Sequence, residues 1–249
     1  MNIFIDGYGI VAHSITRKLL DVHKVNPNNI LVNTYELVEN NLYIEFLRER
    51  KISYVDLNYS EITNEFIEFS PDYLLSLYGR RIIPPVILKN VKYRAVNLHP
   101  SLLPKYKGCF SCPWTIINGE KKTGITFHEI TEGIDSGNIL QQHELEILDN
   151  ETGFSLYHKL ASYFINSFDS FYVKLLNNDL ISKEMQMEGK YYPRKVPYEG
   201  YINRNWSYNQ IDAFIRALHF PPFKGAILKD KGKEFEIDRL EQYLQKVQT

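Results

Sequence analysis

Cysteine is nearly missing from this chain: the 249 residues include two, Cys109 and Cys112. One C-x-x-C pair without a second supplies neither a disulfide framework nor the four ligands of a structural zinc site, and it reads as two small residues at a packed helix start. Surplus charge is missing as well. With 29 basic and 30 acidic residues the formal charge is −1, so no global field draws the chain to nucleic acid or anionic lipid. No run approaches the roughly 18 consecutive apolar residues of a membrane-spanning helix, and no basic segment leads into a long apolar stretch at the start. Internal repeats and low-complexity tracts are absent. These gaps predict a soluble, cytoplasmic protein with no structural disulfide, no metal, no membrane anchor and no nucleic-acid partner.

What is present is apolar sequence, 44% of the chain, enough for one sizeable core with a small appendage. "MNIFIDGYGIVAHSITRKLLDVHK" reads as a strand, a glycine turn and a helix with Ile10, Ile15, Leu19 and Val22 at roughly helical spacing. Strand-like runs follow at "NILVNTY", "KISYVDL", "PDYLLSLY" and "KYRAVNLH", separated by helix-compatible segments such as "NLYIEFLRER" and "ITNEFIEF". The alternation predicts an α/β fold with a mostly parallel sheet covered by helices. Two closely spaced strands, "TGITFHEI" and "NILQQHELEI", come next, joined by "TEGIDSG". A long helix from about Thr152 to Leu176 carries Phe154, Leu160, Phe164, Phe168 and Leu175 near one face. Residues 1–188 are therefore expected to form the main domain. Residues 189–249 are expected to form a small α+β subdomain, with a helix at "SYNQIDAFIRAL" and a hairpin "AILKDKGKEFEI" turning at "DKGK".

Three places carry candidate chemistry. Gly7 and Gly9 in G-x-G-x-x-A, between a strand and a helix, have the form of a dinucleotide loop, but the third glycine is Ala12 and the nearest acidic residue at the end of the second strand, Glu36, comes late. Any doubly wound fold can carry glycines in its first turn, and the loop's functional readings are a nicotinamide-dependent oxidoreductase or a phosphate of another ligand at Gly9. In "VNLHPSLLPKYKG", Asn97 and His99 share one face of a strand that Pro100 ends. A neutral imidazole that accepts a proton beside an amide N–H that steadies an oxyanion is what acyl transfer needs. Asp135, between Gly133 and Gly137 in a turn, is the best carboxylate to orient His99, and an ordinary turn aspartate is the other reading.

"NLHPSLLPKYKG" followed by "PWTIINGEKKTGITFHEITEGIDSGNIL" resembles the signature of the formyltransferases that use 10-formyltetrahydrofolate, over roughly residues 73–142. That family includes glycinamide ribonucleotide transformylases, methionyl-tRNA formyltransferases and sugar N-formyltransferases, and the tail from "YYPRKVPYEG" onward is most similar to the last. The resemblance implies a Rossmann-like sheet, Asn97, His99 and Asp135 as the catalytic set, and 10-formyltetrahydrofolate as co-substrate near Leu77, Arg80, Ile82 and Ile134. It further implies an acceptor amine on a nucleotide-linked sugar, with thymidine diphosphate as carrier, a product used in surface-glycan synthesis, and a homodimer. For the acceptor, Gly9, Lys105, Lys107, Phe220 and Phe223 are the candidates. The lysines meet phosphates or only solvate a loop, and the phenylalanines stack on a base or plug a core.

Overall fold

The computed structural model describes residues 1–35, 41–59, 64–185 and 189–247. Glu36 and the first two residues of the "ITNEFIEF" segment lie outside them. In chain order the elements are β1 (Ile3–Gly7), α1 (Gly9–Asp21), β2 (Ile30–Asn33), α2 (Leu42–Glu49), β3 (Ser53–Val55), α3 (Asn64–Phe69), β4 (Tyr73–Leu77), α4 (Pro85–Leu88) and β5 (Arg94–His99). There follow β6 (Lys107–Gly108), α5 (Ser111–Ile117), β7 (Lys122–Glu129), β8 (Ile139–Glu146), α6 (Gly153–Leu176), β9 (Tyr191–Tyr192), α7 (Tyr208–Leu218), β10 (Ala226–Asp230), β11 (Lys233–Ile237) and α8 (Leu240–Val247).

Seven strands form one sheet in the order β3-β2-β1-β4-β5-β7-β8, and β3 through β5 are parallel, whereas β7 runs antiparallel to β5. β1 and β4 are buried at every position, as strands covered on both faces must be. The order reverses at β1: the chain first moves to β2 and β3, then returns to place β4 on β1's other side. Such a switch point leaves a crevice at the strands' carboxyl ends.

Two units are distinguished by their internal packing. The first comprises Met1–His99, Thr126–Gln142 and Ala161–Gln186. Phe4, Leu31, Phe66, Leu74 and Ile87 form one of its cores, and Phe127 packs against Phe164 and Phe171 at ring distances of 5.4 and 4.1 Å. The second comprises Pro100–Ile125, His143–Leu160 and Met187–Thr249, with Ile211, Phe214, Ile215, Leu228, Ile237 and Tyr243 at its centre. There α7 begins on a capping box, Ser207 with Gln210, which contributes about 1 kcal/mol, and the β10–β11 hairpin turns through Lys231 and Gly232, both at positive φ.

Two readings of helix faces need correction. Ile10 and Val22 are 50% and 57% exposed, while Val11, Ala12, Ile15, Thr16, Leu19 and Leu20 are buried. Ile15 and Leu19 lie on the buried stripe as expected, but Val11, Ala12, Thr16 and Leu20 complete it in place of Ile10 and Val22, because Ala12 and Thr16 are small enough to serve as core. Phe154 is the exception on α6: it sits at the helix start, 40% exposed, against His158 and Phe220 rather than in the sheet-facing core.

Candidate active site

β5 delivers Asn97 and His99 to one face of the sheet, and the antiparallel pairing with β7 sets Asn97 opposite His128 and His99 opposite Thr126. The segment after β7 then brings Asp135 back over β5. Asp135 has φ +46°, so the left-handed conformation belongs to the aspartate itself, a residue type that tolerates it. Gly137 is needed for a different reason: a Cβ there would collide with the Glu129 carbonyl.

The three predicted residues come together. His99 Nδ1 lies 3.3 Å from Asp135 Oδ2, with His99 4% and Asp135 10% exposed at their side chains. Asn97 Nδ2 donates to Asp135 Oδ1 at 3.3 Å, and it lies 3.0 Å from His128 Nε2. His128 itself is 2% exposed at its side chain, 3.5 Å from Asp135 Oδ1, and its Nδ1 sits 2.8 Å from the Glu129 carbonyl oxygen. A carbonyl can only accept, so Nδ1 of His128 carries the proton, and in the neutral ring Nε2 accepts from Asn97. Facing Asp135 likewise assigns the proton of neutral His99 to Nδ1, which makes Nε2 its basic nitrogen. One carboxylate thus organises two imidazoles and one amide out of water. Sequence reading missed His128. Its signal was the alternation in "TFHE", which sets Thr126 and His128 on one face and Phe127 on the other, but the register against Asn97 is visible only in the sheet.

The other candidates are distributed as follows. Leu77 ends β4 with a fully buried side chain, so only its backbone can meet a ligand. Ile82 and Ile134, in contrast, are 68% and 40% exposed, apolar groups of the kind that pack on a flat heteroaromatic ring. Arg80 places its guanidinium 3.9 Å over the Tyr8 ring, at the N-terminus of α1, where Gly9 takes φ +68°. Asp6, at the carboxyl end of β1, is wholly buried and bonded to Asn33, Tyr35 and Tyr59, and sequence reading missed it too.

In the second unit, Lys105 lies 3.3 Å from Glu120, and Lys107 belongs to β6, paired with β9. Phe220 packs edge-on against Phe154 and Tyr157, whereas Phe223 is 70% exposed. Cys112 is buried on α5, which pushes its thiol up to about 12, and both cysteines are free. At neutral pH Cys112 is a packed thiol, without the thiolate character that redox chemistry needs. Among the described residues no cluster of His, Cys, Asp or Glu is arranged to hold a metal ion, and no helix is long and apolar enough to cross a membrane.

Known proteins share this arrangement of fold. A GDP-perosamine N-formyltransferase of Brucella melitensis is 36% identical over 244 residues, 97% of this chain and 93% of its own. The crystal structure of WlaRD, a sugar 3N-formyltransferase with dTDP and 5-N-formyltetrahydrofolate, superposes with a TM-score of 0.76 at 27% identity, covering 96% of this chain and 85% of that one. An N-formyltransferase from Helicobacter canadensis, in complex with folinic acid and dTDP-3-aminofucose, gives 0.75 at 25% identity, over 96% and 87%. The family profile of formyl transferases matches residues 19–165, which span β2 to β8 and every member of the Asn97–His99–His128–Asp135 cluster, and the chain belongs to that family.

Proposed function

We propose that the protein transfers a formyl group from 10-formyltetrahydrofolate to the amino group of a nucleotide-linked 3- or 4-amino-deoxy sugar. The observation that carries this reading is the buried cluster of Asn97, His99 and Asp135 in a chain that is similar to a sugar N-formyltransferase along nearly its whole length. Exposed Ile82 and Ile134 suit the pterin ring, and Arg80 and the Leu77 backbone are assigned to the same co-substrate.

The bound co-substrate supplies an electrophilic formyl carbon. As an amine adds to it, negative charge grows on the formyl oxygen and a proton must leave the nitrogen. His99 Nε2 takes that proton, and Asp135 holds the ring and favours the resulting imidazolium. The tetrahedral adduct then collapses by breaking the bond between the formyl carbon and N10 of the folate, which leaves as tetrahydrofolate with the proton returned from His99. Asn97 has two amide hydrogens, one directed at His128 at 3.0 Å and the other at Asp135 at 3.3 Å. The hydrogen that faces Asp135 is the one assigned to the oxyanion, while the contact with His128 holds the amide in place.

Thymidine diphosphate is the expected carrier, and guanosine diphosphate is the alternative that similarity to the Brucella enzyme supports. Gly9 at the N-terminus of α1 suits a phosphate, and Lys105, Lys107, Phe220 and Phe223 are the further residues proposed for the acceptor, the lysines for phosphate and the phenylalanines for a base. The product is assigned to O-antigen-type lipopolysaccharide synthesis, by a homodimer in the cytoplasm. The test is a panel of dTDP- and GDP-linked 3- and 4-amino sugars incubated with 10-formyltetrahydrofolate. One acceptor gains the mass of a formyl group; failure of every acceptor, with methionyl-tRNA or glycinamide ribonucleotide reacting instead, would overturn the sugar reading. Binding of NADH but not of a folate analogue would restore the dinucleotide reading of Gly7 and Gly9.

A further inference from the structure

Asp6 takes no part in the chemistry above, yet among the described residues it is the most completely enclosed carboxylate of the first unit. Its Oδ1 accepts from Asn33 Nδ2 at 2.8 Å and from the Tyr59 hydroxyl at 2.6 Å, and its Oδ2 accepts from the Tyr35 hydroxyl at 2.6 Å. Burial pushes both phenols above the usual tyrosine range, with the neighbouring carboxylate acting in the same direction, so both remain donors. If filling space were the only requirement, an apolar residue would serve better than a buried charge.

The partners of Asp6 form a closed ring. Asn33 reaches on to Leu57, donating to its carbonyl at 3.3 Å and accepting from its N–H at 2.7 Å. Arg81 donates to that same carbonyl, pairs with Asp56 at 2.8 Å, and lays its guanidinium 4.5 Å over the Tyr35 ring. Tyr35 closes the ring on Asp6, and its oxygen also accepts from the Arg80 backbone N–H at 3.4 Å. The turn after β4 touches the carboxylate directly as well: a Cβ on Gly79 would collide with Asp6 Oδ2. The two arginines therefore divide the work. Arg81 is locked into the ring, and Arg80 is carried by it to its place over Tyr8.

We propose that Asp6 is a positioning residue: through Tyr35 it fixes the Gly79–Arg81 turn, and so places Arg80 for the co-substrate. This rests on the reading of Arg80 as a co-substrate contact. Tyr35→Phe keeps the ring under Arg81 and deletes both the bond to Asp6 and the acceptor for Arg80. Asp6→Asn keeps the volume but sets an amide N–H against a hydrogen-bond donor.

The experiment measures kcat and KM for 10-formyltetrahydrofolate, with direct titration of 5-formyltetrahydrofolate, in the wild type, Asp6→Asn, Tyr35→Phe, Arg80→Ala and Tyr35→Phe/Arg80→Ala. The expected result is a rise in KM and dissociation constant of roughly tenfold in each single variant, with kcat within about twofold. In the double variant the loss is no greater than in Arg80→Ala alone, because one group acts through the other. Should folded Tyr35→Phe and Asp6→Asn bind 5-formyltetrahydrofolate as the wild type does, or should the Tyr35 and Arg80 losses add, the proposal is wrong while the functional reading stands. A wild type that binds no folate overturns that reading, and this proposal with it.

Discussion

Asn97 and His128 face each other across the antiparallel pairing of β5 and β7, and the amide nitrogen of one lies 3.0 Å from Nε2 of the other. The Glu129 carbonyl fixes the proton on Nδ1 of His128, and this makes Nε2 an acceptor that sets which way the Asn97 amide points. His128→Phe removes the acceptor while filling the space. The expected outcome is a fall in kcat of about tenfold with little change in either KM, and partial recovery in His128→Gln, whose amide oxygen can accept. Steady-state kinetics of the three proteins decides it; equal rates in the wild type and His128→Phe would show that the Asn97 amide is held by other means.

Asn97→Ala and Asp135→Asn address the chemistry itself. The first deletes the amide that the proposed mechanism assigns to the oxyanion, and the second keeps the shape of the turn while removing the charge beside His99. Each is expected to lower kcat by on the order of a hundredfold to a thousandfold at unchanged fold, measured by formyl transfer alongside a melting curve. Unchanged turnover in either would remove that residue from the catalytic set.

Much of this was legible before the fold was seen, and the reason is physical. β1, β2 and β4 are short, largely apolar runs, and in β5 Asn97, His99 and Pro100 give both the shared face and the strand's end within four residues. What stayed hidden depends on long-range register. His128 is 31 residues from Asn97, and Tyr35 and Tyr59 are 29 and 53 residues from Asp6, so no local pattern relates them. The stripe of α1 was right at Ile15 and Leu19 and wrong at its ends, Ile10 and Val22, because alanine and threonine count as weak evidence of burial in a sequence and as good packing in a crowded sheet layer.

Gly137 tests the turn that carries Asp135. An added methyl would run into the Glu129 carbonyl, so Gly137→Ala must push the turn away from β7. Overpacking of this kind costs about 1–3 kcal/mol, and here it also withdraws the carboxylate from His99. The expected outcome is a lowered Tm together with a loss of kcat that exceeds what the unfolded fraction explains. Alanine at Gly119, where φ is +68° but nothing lies within 4 Å of an added Cβ, is the comparison: stability falls there through backbone strain, and the catalytic cluster is untouched.

Asp6 also has a signature in stability that is independent of any ligand. Burial holds its carboxyl above the ordinary value, and the bonds from Tyr35, Tyr59 and Asn33 and the nearby Arg81 charge only partly offset this. A group with a higher pKa in the folded chain than in the unfolded chain retains its proton better when folded, so its contribution to stability is complete below the unfolded value and declines as pH rises through the folded one. Asp6→Asn has no proton to lose and therefore lacks that slope. From about pH 4 upward the Tm of the wild type, taken relative to Asp6→Asn, is expected to fall as pH rises. Melting curves of the two proteins across that range measure it directly. A constant difference would mean that the three hydrogen bonds offset burial completely, and that ionised Asp6 costs the fold nothing.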